Sequence, residues 1–191
     1  MANKITYGLE QVYVAFRTAD VLGEPAWEAP TAILGAVSYK PKAEGKEVTF
    51  YADNQQYYFS TSNNGYTADL EMALVPDAVL AEMLGWTVDT NGMLVEDADG
   101  VAKEFALLGQ VEGDVKDRRF VYYNCKASRP ATENKTKGES VEPATDTLSL
   151  VITPIEVGGK RIVKGVMELS DTNATAYNAF FTAVTIPAAG V

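Results

Sequence analysis

The chain contains no histidine. Histidine titrates near neutral pH and is the commonest metal ligand. Its absence excludes Ser-His-Asp and Cys-His mechanisms, so an enzyme would have to rely on carboxylates, lysine or tyrosine. There is one cysteine, Cys125, so no internal disulfide and no cysteine-rich metal site can be built. No apolar run reaches the ~20 residues that a membrane-crossing helix needs. The opening MANKITYGLE lacks the apolar stretch of a secretory signal, and the expectation is a cytoplasmic protein that stays soluble until it is assembled. Positive charge is scarce: 16 Lys and Arg stand against 26 Asp and Glu, a formal net charge of −10. Affinity for nucleic acid comes mainly from Lys and Arg on phosphates, so this chain should repel DNA. A phosphate-binding loop is also missing, because Gly45-Lys46 has neither the upstream glycine nor the following Ser or Thr.

What remains is an ordinary globular composition. The chain has 191 residues, of which 47% are hydrophobic, enough for one domain with a substantial core. The pattern is mostly of period two, which predicts strands. Val12 to Arg17 reads as the first and Ile33 to Lys40 as the second, with Pro41 expected to end it. Residues 41–64 read as an extended polar loop rich in aromatics. The clearest alternation follows: Tyr66, Ala68, Leu70, Met72 and Leu74 on the buried face, Thr67, Asp69 and Glu71 on the other. Pro76 and Asp77 suit a helix start, Val79, Leu80, Met83 and Leu84 make its apolar stripe, and Gly85 ends it. Residues 89–100 form a turn-rich acidic loop.

Lys103 to Val111 and Arg118 to Ala127 predict a hairpin, with Cys125 as a small buried residue in phase with Val121 and Tyr123. Residues 128–146 read as a second long loop. Thr147 to Ile155 alternates again, and Arg161 to Leu169 is expected to return as its partner across Gly158 and Gly159. A last helix is expected over about Asn173 to Val184, capped by Thr172, with Ala176, Tyr177, Phe180, Phe181 and Val184 on one face. Seven to nine strands with two short helices predict a mainly β fold, a β-sandwich or barrel with helices at its side and long loops.

Three groups of residues invite a chemical reading. The acidic loop DTNGMLVEDADG could hold calcium, but an EF-hand needs a ligand at position 1, Gly at 6 and Glu at 12. Placing Gly92 at position 6 puts Thr87 and Ala98 at the ends; placing Gly100 there puts Val95 and Ala106. A solvated turn is the better reading, and no metal or cofactor is expected. Asp69 and Glu71 lie about 7 Å apart on one strand face, a spacing that a glycoside hydrolase could use, though paired carboxylates on an open face usually just meet water. Phe50, Tyr51, Tyr57, Tyr58 and Phe59 form a cluster in a polar setting. It suits a protein interface, since such rings are enriched there, or alternatively the platform of a carbohydrate-binding β-sandwich module.

Several segments together resemble the major tail protein family of siphophages. They are NKITYGLEQVYVA, FYADNQQYY, TSNNGYTADLEMALVPD, LVEDADG, FALLGQVEGD, RRFVYYNCKASRP, KTKGESVEPATDTLSL and the closing helix. They are collinear and cover nearly the whole chain. The resemblance implies a single tail tube domain over residues 1–191, without the C-terminal immunoglobulin-like module of some relatives. It implies a structural virion protein with no enzymatic activity, assembled in the host cytoplasm into stacked hexameric rings of the tail tube. Its partners would be further copies of itself, the tape measure protein, and the distal tail and tail terminator proteins, with DNA passing through without specific binding and no membrane involved. On this reading Asp69 and Glu71 are expected to face the lumen. Lys46, Phe50, Tyr51, Tyr57 and Tyr58 are expected to make inter-subunit or inter-ring contacts. Six subunits at −10 would carry roughly −60 per ring, which suits a conduit that must not grip phosphate.

Overall fold

The computed structural model describes residues 7–21, 23–130 and 144–187. In chain order its elements are β1 (Leu9–Phe16), β2 (Thr31–Ala32), β3 (Ala36–Glu44), β4 (Glu47–Ala52), β5 (Gln55–Thr61), β6 (Gly65–Met72), α1 (Asp77–Leu84), β7 (Thr87–Val88), β8 (Leu94–Val95), β9 (Phe105–Val111), β10 (Arg119–Ala127), β11 (Asp146–Ile152), β12 (Ile155–Val157), β13 (Lys160–Ile162), β14 (Lys164–Met167) and α2 (Ala174–Asn178). The protein is mainly β, and every strand pair among the described residues is antiparallel.

The main sheet runs β2-β1-β9-β10-β11-β6-β3, with β14 added on β10. It curls so that β3 comes back beside β1. The enclosed face holds the larger core: Val12, Val14 and Phe16 from β1, Leu70 and Met72 from β6, Phe105 and Leu107 from β9, and Leu148, Leu150 and Ile152 from β11. Burying a side chain of this size stabilises the fold by about 1.5–3 kcal/mol, so the alternation in β6 and β11 dictates their register. α1 closes one end with Met83 and Leu84 and stops at Gly85, whose φ is 73°.

A second, smaller core lies on the other face of β1, β9 and β10. Ala15, Ala106, Leu108, Val121 and Tyr123 meet Ile155 and Phe180 there. The C-terminal segment is pinned over it by Arg119, whose guanidinium lies 3.9 Å from the Tyr177 ring and 4.6 Å from that of Phe181. Phe181 stacks on Tyr13 at 4.6 Å, and the Tyr123 hydroxyl donates to the Thr185 carbonyl at 3.1 Å.

The two cores meet at an irregularity in β10. Arg119 to Tyr122 pair with β14, whereas Cys125 to Ala127 pair with β11. The register with β9 shifts between Tyr122 and Cys125. An extra residue in a strand inverts the phase that follows. Cys125 therefore does not share a face with Val121 and Tyr123 as expected; it is buried in the larger core with Tyr122 and Ala127.

Other expectations are corrected. Pro41 does not end its strand: it pairs with Ala68 inside β3, which is an edge strand, and edge strands tolerate the missing N–H. Residues 41–64 are not a loop. Leu74 lies beyond β6 and is 68% exposed, because the chain leaves the sheet before the alternation ends. Arg161 to Leu169 does not return as one strand on β11: only Arg161 and Ile162, in β13, pair back across Gly158 and Gly159, with Glu156 and Ile155 of β12, while β14 goes to β10. The last helix is one turn long, with Asn173 rather than Thr172 at its start, and Ala176 is exposed. The expected loop at 128–146 falls largely on residues 131–143, outside the described residues.

Three core phenols make the fold sensitive to alkali. Burial pushes the Tyr123 hydroxyl up to about 12 from 10.0, and Tyr39 and Tyr122 upward as well. A raised folded-state pKa gives stability that is complete below the unfolded value and lost as pH climbs towards the folded one. Burial pushes the Cys125 thiol up from 9.0 as well, so urea unfolding should be independent of pH just below about pH 8 and weaken from about pH 9 to 12, first through the thiol and then through the phenols. Tyr123→Phe should flatten that fall while costing about 1 kcal/mol at neutral pH for the lost bond to Thr185.

Candidate functional site

β3 and β6 pair from Ala36↔Met72 to Glu44↔Gly65. The ladder does not stop where the sheet stops. Asn64 N–H donates to the Glu44 carbonyl at 2.9 Å, Ser62 N–H to the Lys46 carbonyl at 2.9 Å, and Lys46 N–H to Ser62 Oγ at 2.9 Å. β4 and β5 then pair from Glu47↔Thr61 to Ala52↔Gln55. Residues 36–72 are thus one long hairpin whose inner half belongs to the sheet and whose outer half projects as an arm. At six residues, β4 reaches about 20 Å. Asp53 and Asn54 close the tip with φ of 51° and 60°, the left-handed pair that a two-residue hairpin turn requires.

Two glycines make the junction possible. A Cβ on Gly45 would lie 2.1 Å from the Ser62 carbonyl oxygen, and one on Gly65 would lie 1.9 Å from that of Ile152. Gly65 also has φ of 105°, where other residues are strained. Backbone passes too close at both points for any side chain.

The arm gathers the aromatic cluster read from the sequence. Phe50, Tyr51, Tyr57, Tyr58 and Phe59 are 53% to 70% exposed. Phe50 faces Tyr58 across the ladder and Thr49 faces Phe59, so rings stand on both faces of a thin ribbon. That arrangement differs from the single concave wall that small ligands usually occupy. Val48 adds to the face of Phe50. Lys46 sits at the neck, held through its backbone. Monomeric proteins seldom expose so much contiguous apolar surface unless it meets a partner.

Asp69 and Glu71 point outward from β6, as expected. Ser149 Oγ donates to Asp69 at 2.9 Å; Thr145 Oγ1 and Ser38 Oγ donate to Glu71 at 2.9 and 3.0 Å. These last two bonds, with Lys40 nearby, hold the Glu71 carboxyl below its usual range. A general acid needs the opposite shift. Register places Lys40 opposite Asp69 and Lys42 opposite Thr67, whose hydroxyl donates to Glu44 at 2.9 Å. The outer face of β3 and β6 therefore sets three carboxylates against two ammonium groups, a milder negative balance than Asp69 and Glu71 alone suggested.

The acidic loop is occupied by its own backbone. Asp89 accepts from Asn91 N–H and Met93 N–H, each at 2.8 Å, and from Asn91 Nδ2 at 3.2 Å. These bonds lower its pKa, that of Met93 most, and they close the β7–β8 hairpin. Among the described residues no three His, Cys, Asp or Glu gather as metal ligands. No helix among them is long and apolar enough to cross a membrane.

The chain matches no family model and no curated protein. Among solved structures it is similar to a chain in "Cryo-EM structure of the anti-feeding prophage (AFP) baseplate, 6-fold symmetrised", at a TM-score of 0.45 and 9% identity, over 88% of this chain and 97% of that one. A likeness of that size carries no argument about function.

Among the described residues the arm touches little of the body, so removing it should cost little. Replacing residues 47–61 by a short Gly-Asn turn should leave the unfolding free energy in urea within about 0.5 kcal/mol of wild type and the circular dichroism of the sheet intact. A loss of several kcal/mol would show that the arm packs on its own subunit. The excision must begin beyond Glu44, because Pro41 to Glu44 are paired with β6.

Proposed function

We propose that this chain is the subunit of a phage tail tube: a structural protein without catalytic chemistry, which polymerises as stacked six-membered rings around a channel for DNA. The observation that carries the reading is the arm. A stiff ribbon bearing five exposed rings has no use in an isolated monomer, whereas burial against another subunit would contribute about 1.5–3 kcal/mol per ring. Several such rings offset the several kcal/mol that association costs in lost freedom. Among the described residues the outer sides of β2, β3 and β14 carry no partner strand. They support the same reading, because sheet edges left open invite pairing and closure of a ring removes them. So does the collinear resemblance of the sequence to siphophage major tail proteins. The tape measure, distal tail and terminator proteins as partners, and a place in the virion tail, follow from that resemblance.

Electron microscopy of concentrated protein, alone and with tail initiation components, tests the proposal. Six-fold rings or tubes are the expected result. A chain that stays monomeric under all these conditions, and binds a glycan array instead, would be a carbohydrate-binding module.

The outer face of β3 and β6 is assigned to the channel wall. Asp69→Lys with Glu71→Lys would turn its three carboxylates and two amines into one carboxylate and four amines. The core face is untouched, and setting a second lysine opposite Lys40 costs less than about 1 kcal/mol. Tubes should still assemble, but rings of lysine would grip phosphate with a strong salt dependence. Virions carrying the change should eject DNA slowly. Ejection at the normal rate from normally assembled virions would place this face outside the channel.

A further inference from the structure

Beside the root of the arm, β3, β10 and β14 enclose a pocket of roughly 510 Å³, within the size range that takes up one or two ring-sized groups. Its floor is aromatic. Tyr39 stacks on Phe120 with centroids 5.7 Å apart and planes 7° from parallel, and Tyr122 meets both edge-on at 5.4 and 5.9 Å. Val166, more than half exposed, forms one wall. The rim is cationic: Lys164, whose amine lies 5.1 Å from the Tyr66 ring, and Arg118, which pairs with Asp114.

We propose that this pocket is the socket for the arm tip of a second copy of this chain. The inference rests on the self-assembly reading and names the contact that drives it. The tip offers what the socket takes. Tyr51 and Tyr57, the two most exposed rings of the arm, flank the turn, and Asp53 stands at its apex. Tyrosine rings stack on aromatic floors and attract cations at their faces, and the carboxylate of Asp53 complements Lys164.

The arm cannot fill its own socket. Pro41 lines the pocket and lies on β3, from which the arm continues in the same direction. The unbroken ladder at Glu44, Lys46, Ser62 and Asn64 keeps it from folding back. Tip and socket are different surfaces, so the contact is head-to-tail. Repeated, it closes into a ring or runs on as a filament, and it does not stop at a symmetric dimer.

A complementation experiment tests this. One variant lacks the arm (residues 47–61 replaced by the Gly-Asn turn) and keeps its socket. The other, Lys164→Glu with Val166→Glu, keeps its arm and loses its socket; both positions are on the surface, so folding is retained and is checked by circular dichroism. Each alone should self-associate at least about tenfold more weakly than wild type. Mixed, they should form a one-to-one heterodimer by native mass spectrometry and grow no further, since only one tip and one socket remain. Lys164→Arg should assemble like wild type.

A second measurement locates the contact. Gln56→Cys with Val166→Cys should give a ladder of disulfide-linked chains on oxidation, with the buried Cys125 taking no part. Normal tubes from the Lys164→Glu, Val166→Glu variant, or a mixture that stays two monomers while wild type assembles, would overturn the socket and leave self-assembly standing. A wild type that never assembles overturns both.

Discussion

The ladder between β3 and β6 is the constraint on which the rest of the molecule depends. Its inner half is held by side chains it cannot release: Ala68, Leu70 and Met72 are buried under the larger core, and a shift of one residue would turn all three to water. Among the described residues its outer half packs on neither core. β4 and β5 keep their direction only because the ladder reaches them through Glu44, Lys46, Ser62 and Asn64, past two glycines that let backbone approach backbone. Burial at one end thus positions exposed aromatics at the other. A free two-stranded hairpin is marginal in water; this one borrows its order from the sheet.

β10 plays the complementary part. Its first half is shared with β14 and its second with β11; ordinary alternation sends Val121 and Tyr123 to one core and Tyr122 to the other, and the irregularity between Tyr122 and Cys125 turns Cys125 and Ala127 to the larger one. The split also opens the space beside β3 into which Tyr39 and Phe120 turn their stacked rings. Bulges recur where a sheet must re-aim side chains.

The charges are arranged with less bias than the net −10 implies. Arg17, Lys103, Lys116 and Arg129 each lie against a carboxylate at the surface, pairs of the kind that contribute little to stability, and Arg118 pairs with Asp114, which is buried. On the outer face of β3 and β6 lysines interleave with Asp69 and Glu71. Three carboxylates stand there against two amines, so the local balance is milder than the net charge of the chain.

Local patterning in the sequence determined the mainly β class, the buried faces of β6 and β11, the short α1 with its glycine stop, and the aromatic cluster at Phe50 to Phe59. Each rests on local chemistry: alternation, a helix stop, ring density in a polar stretch. The tertiary structure alone decided which strands pair. β14 goes to β10 rather than to β11 because the branch in β10 leaves a free edge there, and Pro41 continues a strand because β3 lies at the edge of the sheet. It also decided that residues 47–61 form a ribbon instead of a loop, since cross-strand bonds between Glu47 and Thr61 replace the missing core. The pocket was invisible in the sequence: Tyr39, Phe120, Tyr122, Lys164 and Val166 come from three distant segments, and only the curl of the sheet, driven by burial of its inner face, brings them together.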